Sequence, residues 1–307
     1  MRDERSPLVS AGRFESGPEP TQAALDGPRR HSVRPGYGCA SLCALCMADS
    51  THSGLTAFLV TQLRDGMTVV DIGANQGELT AVAAACVGPF GHVVAYEPSP
   101  ATAQALRLRL GDAPHVEIRQ CALADRVGKS AFYVDASKST SSTLYPGAIG
   151  PARQEIRVTV QTLDAEMSEL PPIDLIKIDA QGAEGRIFAG ARRLLKRDKP
   201  LLIFELWPHG LRAAGSDGMR LLNDLAGLGY HFHPLNAKGR VGHDGKIREL
   251  LAGQLRSAAL NVVAHPRRWP AREWRDVQPE APCVLPRTHR ALCHAWITIE
   301  SANPVPA

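Results

Sequence analysis

The stretch T-V-V-D-I-G-A-N-Q-G, residues 68–77, decides how the chain is read. Val69, Val70 and Ile72 form a short, β-branched apolar run, which suits a strand buried in a parallel sheet. Asp71 stands near its end. Gly73 and Gly77 bracket a tight turn into a predicted helix over 78–86. Strand, glycine turn and helix make the opening unit of a nucleotide-binding α/β fold, where backbone must come close to a ligand. A dinucleotide fingerprint would read G-x-G-x-x-G, but Asn75 occupies the place of the second glycine.

The turn instead fits D-x-G-x-x-x-G, a pattern of S-adenosylmethionine (SAM) binders. A sulfonium amino acid carries no pyrophosphate, so the second glycine is not needed. Working outward, residues 91–98 (G-H-V-V-A-Y-E-P) form the second strand and end near Glu97, about 20 residues past Gly77. An acid at that place accepts hydrogen bonds from both ribose hydroxyls of a nucleoside. Residues 116–122 form a third strand. Asp125 in the loop beyond it is placed to read an adenine amino group, with a plain turn aspartate before Gly128 as the alternative.

Residues 130–135 and 155–163 alternate apolar and polar, which predicts extra antiparallel strands. The polar loop over 137–147 between them is a candidate lid or acceptor contact, or else a plain surface loop. The fourth strand, 174–180, ends at Asp179, and Q-G-A-E-G leads into a helix over 186–196. Asp179 and Glu184 therefore flank a helix N-terminus beyond a strand end, where open α/β sheets bind ligands. Lys177 points away from Ile176 and Ile178 and is placed to pair with one of the acids. A fifth strand over 200–206 carries Glu205, and strands over 230–235 and 260–264 complete the set. His231 and His233 share a strand face, but no third metal ligand accompanies them, so no metal site is assigned.

With 307 residues and 44% apolar content, the chain suffices for one sizeable domain with tails. A net charge of +4, spread along the chain, argues against a nucleic-acid partner. No apolar run reaches the ~18 residues of a membrane-spanning helix, and the charged start has no apolar stretch behind it, so neither a membrane nor secretion is expected. Seven irregularly spaced cysteines fit reduced thiols in a cytoplasmic protein. Residues 1–36 read as a disordered tail and 37–50 as a lead-in with Cys39, Cys43 and Cys46. The spacing of these cysteines resembles an iron–sulfur motif without the aromatic residue that usually precedes its third cysteine. Residues 51–266 read as the domain and 267–307 as a Pro- and Arg-rich tail.

Three motifs in order, V-V-D-I-G-A-N-Q-G, A-Y-E-P-S-P and L-I-K-I-D-A-Q-G-A-E, closely resemble the FkbM family of SAM-dependent methyltransferases. The pieces T-L-D (162–164), S-T-L (142–144) and L-I-F-E-L (202–206) add to the likeness, which covers roughly residues 50–266. The resemblance implies a Rossmann-like fold with a seven-stranded, mostly parallel sheet, helices on both faces and the last strand antiparallel. It also implies methyl transfer from SAM, commonly to a hydroxyl of a sugar, polyketide or other secondary metabolite, and hence a small-molecule acceptor. The family's third motif usually reads K-I-D-V-E-G-A-E, so Gln181 replaces a glutamate. Glutamine keeps that residue's size but not its charge. The expected cofactor-binding residues are Asp71, Gly73, Asn75, Gly77, Glu97 and Asp125. The candidates to take the acceptor's proton are Asp179, Glu184 and Glu205. Two other classes stay open: a catalytically silent SAM-binding scaffold, suggested by Gln181 and the two tails, and a nicotinamide-dependent oxidoreductase.

Overall fold

The computed structural model describes residues 53–135, 142–148, 150, 153–166, 170–242 and 259–266. The expectations for the two tails and for the Cys39–Cys46 segment lie outside them. In chain order, α1 (Ser53–Gln62) leads into β1 (Thr68–Ile72), α2 (Glu78–Val87), β2 (His92–Tyr96), α3 (Pro100–Leu110) and β3 (Val116–Arg119). A short β4 (Ala122–Leu123), β5 (Gly128–Asp135) and β6 (Arg153–Gln161) precede α4 (Leu163–Glu166) and β7 (Leu175–Ile178). Then come α5 (Glu184–Ala189), α6 (Arg192–Asp198), β8 (Leu201–Leu206), α7 (Pro208–Ala213), α8 (Gly218–Gly227), β9 (His231–Pro234) and β10 (Leu260–His265).

Strands separated by helices pair in parallel, because each crossover needs a helix to cover a sheet face. Seven of them form one sheet in the order β3-β2-β1-β7-β8-β10-β9. All neighbours are parallel except β10, which runs antiparallel to both β8 and β9. This is the Rossmann-like sheet that the family resemblance implied. Strand order reverses between β1 and β7, and ligands of open α/β sheets bind beyond the strand ends at such a reversal.

Alternation along the strands divides the core. Val69, Val93, Leu175 and Ile203 pack with Phe58 and Leu59 of α1 and Leu79 and Val87 of α2. Val70, Val94, Ile176 and Phe204 pack on the other face with Phe188, Leu194, Leu222 and Leu225. Burial on both faces explains why these strands are nearly all apolar.

Two elements differ from the sequence reading. The third strand stops at Arg119, where the Cys121 N–H turns back onto the Arg119 carbonyl (3.0 Å). The chain then leaves the main sheet, and β4 joins β6 and β5 in a second, three-stranded sheet. The single helix expected over 186–196 is two helices, α5 and α6, broken at Gly190–Ala191. A Cβ on Gly190 would lie 2.1 Å from the Ala124 carbonyl oxygen, so backbone meets backbone there. Asp164, part of the T-L-D piece, receives the Arg193 and Leu194 N–H groups through Oδ1 (2.9 Å each) and so caps the restarted helix. Among the described residues no helix is long and apolar enough to cross a membrane, and the buried Cys86 and Cys121 are free thiols.

Candidate active site

The carboxyl ends of β1, β2 and β7 open onto one cleft at the reversal of strand order. It encloses about 900 Å³ counting its open mouth. The β1–α2 turn forms one wall. Gly73 (φ 73°) and Gly77 (φ 85°) are left-handed. A Cβ on Gly73 would fall 2.0 Å from the Asp179 carbonyl oxygen, and one on Gly77 would fall 2.3 Å from Leu106 Cδ1. Asn75 is left-handed too (φ 48°), a conformation asparagine tolerates better than most residues. This explains how the turn closes without a second glycine. The Gly73 and Ala74 N–H groups both donate to the Tyr96 carbonyl (3.0 and 3.1 Å), which ties the turn to the end of β2.

Glu97 lines the cleft and is 6% exposed. Its Oε2 accepts the Asn75 N–H (3.0 Å) and its Oε1 the Ser99 N–H (2.9 Å), so the carboxylate is held in place from both sides. Burial raises its proton affinity, while those two donors and the Lys177 charge oppose the rise. Each oxygen keeps a lone pair for a further hydroxyl. Asn75 Oδ1 is buried and accepts no hydrogen bond among the described residues.

Asp71 is not part of the cleft lining. Its carboxylate accepts the Thr80 hydroxyl (2.7 Å) and pairs with Lys177 Nζ across β1 and β7 at 3.0 Å. Lys177 also donates to the Gly73 carbonyl (2.9 Å) and lines the cleft floor. Burial works against its charge, but Asp71, Asp179 and Glu97 outweigh that and hold its proton affinity above the ordinary value. Asp71 thus braces the turn through Thr80 and Lys177.

Of the three acids expected to serve catalysis, only Asp179 lines the cleft. The Gln181 amide donates to Asp179 Oδ1 (2.7 Å) and Glu205 Oε2 (3.2 Å), placing Glu205 directly behind. Burial first, then Asp179 and Glu184, push the Glu205 carboxyl up to about 8, against Lys177 and the Gln181 donor. A glutamate at position 181 could supply such a donor only when protonated. Glu184 is fully buried. Its Oε1 accepts the Ala180 and Gly182 N–H groups (3.0 and 3.2 Å), so it braces the loop before α5. Burial pushes its carboxyl up to about 7, with those backbone donors opposing. Asp125 also lies outside the lining. It is exposed and pairs with Arg186 at 3.0 Å.

Several lining residues carry no signal on their own in the sequence. Tyr96 and Cys121 are buried in the cleft wall, and Phe132 reaches it from the second sheet. Ser142 and Leu144, from the S-T-L piece, also line it. His233 turns Nδ1 to the Gly242 carbonyl (3.0 Å). Among the described residues no three His, Cys, Asp or Glu side chains gather as metal ligands would.

The model of the methyltransferase FkbM domain matches residues 71–232, more than half of the chain. No curated protein matches. Among solved structures, the chain is similar to a methyltransferase FkbM from Methylobacillus flagellatus, at 15% identity and a TM-score of 0.42 over 74% of this chain and 58% of that one. The matched region thus spans less than two thirds of that relative. It is also similar to Aeropyrum pernix fibrillarin in complex with natively bound S-adenosyl-L-methionine (13%, TM-score 0.41, 68% and 73%). An rRNA methylase from Streptococcus thermophilus gives 13%, a TM-score of 0.39, 71% and 97%. One expectation is corrected by these neighbours. A small-molecule acceptor with nucleic acid excluded does not stand, because proteins described as an rRNA methylase and a fibrillarin pre-rRNA processing protein share the fold. Net charge describes the whole surface and does not decide what one cleft accepts.

Proposed function

Because the chain belongs to the FkbM methyltransferase family, we propose that it moves a methyl group from S-adenosyl-L-methionine to a hydroxyl oxygen. The observation that carries this reading is one cleft lined at once by Glu97 and Asp179. The residues fit the cofactor. Asn75 Oδ1, buried with its lone pairs unmatched among the described residues, suits an ammonium or amino donor. Glu97, pinned by two backbone donors, suits a ribose diol. When bound, SAM supplies an electrophilic methyl on a sulfonium. The protein's own work is to orient, to exclude water and to accept a proton.

Asp179 is the group for that proton. It lies at the end of β7, its Oδ1 held by the Gln181 amide and its carboxylate open to the cleft. Glu205 stands behind it and, with its carboxyl pushed up to about 8, retains its own proton near neutral pH.

Calorimetric titration of the full chain with SAM, S-adenosylhomocysteine and NADH is the first test. Micromolar binding of the first two without the third is expected. An acceptor screen over sugars, polyketide alcohols and RNA, scored by S-adenosylhomocysteine release, then assigns the hydroxyl. Absence of SAM binding would remove the reading. Binding without turnover on any acceptor would favour the silent scaffold, and NADH binding would favour an oxidoreductase.

A further inference from the structure

We propose that Thr143 is a positioning residue for the acid pair: it holds the Gln181 turn in the conformation that sets the Gln181 amide between Asp179 and Glu205. The inference rests on Asp179 being the proton acceptor. Thr143 is 1% exposed and lies between Ser142 and Leu144, both of which line the cleft. Its backbone N–H and carbonyl pair with Tyr133 of β5 (2.9 and 2.8 Å), so it is anchored to the second sheet. Its hydroxyl accepts the Tyr145 N–H (3.2 Å) and donates to the Gln181 carbonyl (2.8 Å).

That last bond acts on a residue that needs holding. Gln181 has φ 49°, a left-handed conformation that a Cβ disfavours and that persists only when its surroundings enforce it. Two sets of contacts do so: Thr143 on its carbonyl, and Asp179 and Glu205 on its amide. Valine at 143 has nearly the same shape but no hydroxyl. The Gln181 carbonyl then loses its donor, the turn relaxes, and the amide leaves the gap between the acids. The same segment presents Ser142 and Leu144 to the cleft, so seating an acceptor there and orienting the acids are mechanically linked.

The experiment is a carboxyl-carbon NMR titration of the full chain with labelled glutamate, following Glu205. The charged groups facing Glu205 are Asp179, Glu184 and Lys177, and none is altered in the variants. The wild-type midpoint is expected near 8. In Thr143→Val it should rise by about 0.5–1 pH unit, because a donor to the carboxylate is lost. Gln181→Leu should reproduce the rise, and Thr143→Ser should restore the wild-type curve. If valine prevents folding, Thr143→Ala gives the same reading without added bulk. An unmoved midpoint in a folded Thr143 variant, or in Gln181→Leu, overturns the proposal. Calorimetry on the same samples keeps the two claims separate. SAM affinity should not change in the Thr143 variants, and a wild type that fails to bind SAM would remove the functional reading while the titration still decides the role of Thr143.

Discussion

Replacing Glu97 tests the cofactor end of the cleft most directly. In Glu97→Ala the acceptor of the Asn75 and Ser99 N–H groups is lost, together with the carboxylate facing the cleft. A hydrogen bond to a charged group contributes about 1.5–3 kcal/mol. Loss of one ribose hydroxyl contact to the carboxylate therefore weakens SAM binding roughly 10- to 150-fold, at about 1.4 kcal/mol per decade. Glu97→Gln sharpens the test. Its amide has one acceptor oxygen for two backbone donors, so an NH₂ group must face either the Asn75 or the Ser99 N–H. Binding should fall to an intermediate degree, and the melting temperature should drop as well. The assay is calorimetric titration with SAM and S-adenosylhomocysteine, with circular dichroism to confirm the fold. If a folded Glu97→Ala binds SAM within twofold of wild type, Glu97 does not hold the ribose, and the reasoning from strand end to diol fails.

Two further perturbations test the electrostatics of the floor. Glu205 holds its proton up to about pH 8, against 4.5 ordinarily, so the fold favours its neutral form. Its stabilising contribution is complete below about pH 4.5 and is lost as the pH rises towards 8; Glu205→Gln, which cannot ionise, should thus gain about 3–4 kcal/mol over wild type between pH 5 and pH 8. Thermal melts at the two pH values measure this, and a pH-independent difference would contradict it. Lys177→Met leaves Asp71 as a buried charge whose one remaining partner among the described residues is the Thr80 hydroxyl, and should cost about 3–5 kcal/mol in urea unfolding. The double variant Lys177→Met with Asp71→Asn should recover part of that loss, and no recovery would mean the pair is not coupled.

The sequence by itself determined the features that depend on short-range spacing. The β-branched runs, the glycines of residues 73 and 77, and the acids just beyond the strand ends are properties of neighbouring residues. Backbone geometry at close approach restricts which residues stand there. The sheet, the turn and the placement of Glu97 and Asp179 at the cleft were legible for that reason. Tertiary structure alone decided which partner each polar side chain found. Asp71 meets Lys177 because β1 and β7 lie side by side in register. Asp125, exposed, pairs with Arg186 within its reach, and Glu184 turns inward onto loop N–H groups because buried donors must be matched. The helix breaks at Gly190–Ala191, where the Gly190 backbone lies against Ala124 and Asp164 caps the restarted helix. Gln181 and Thr143 gain their meaning in the same way: a left-handed turn, two carboxylates and a threonine from the segment between β5 and β6 converge there. Such contacts join segments far apart in the chain, and local spacing carries no record of them.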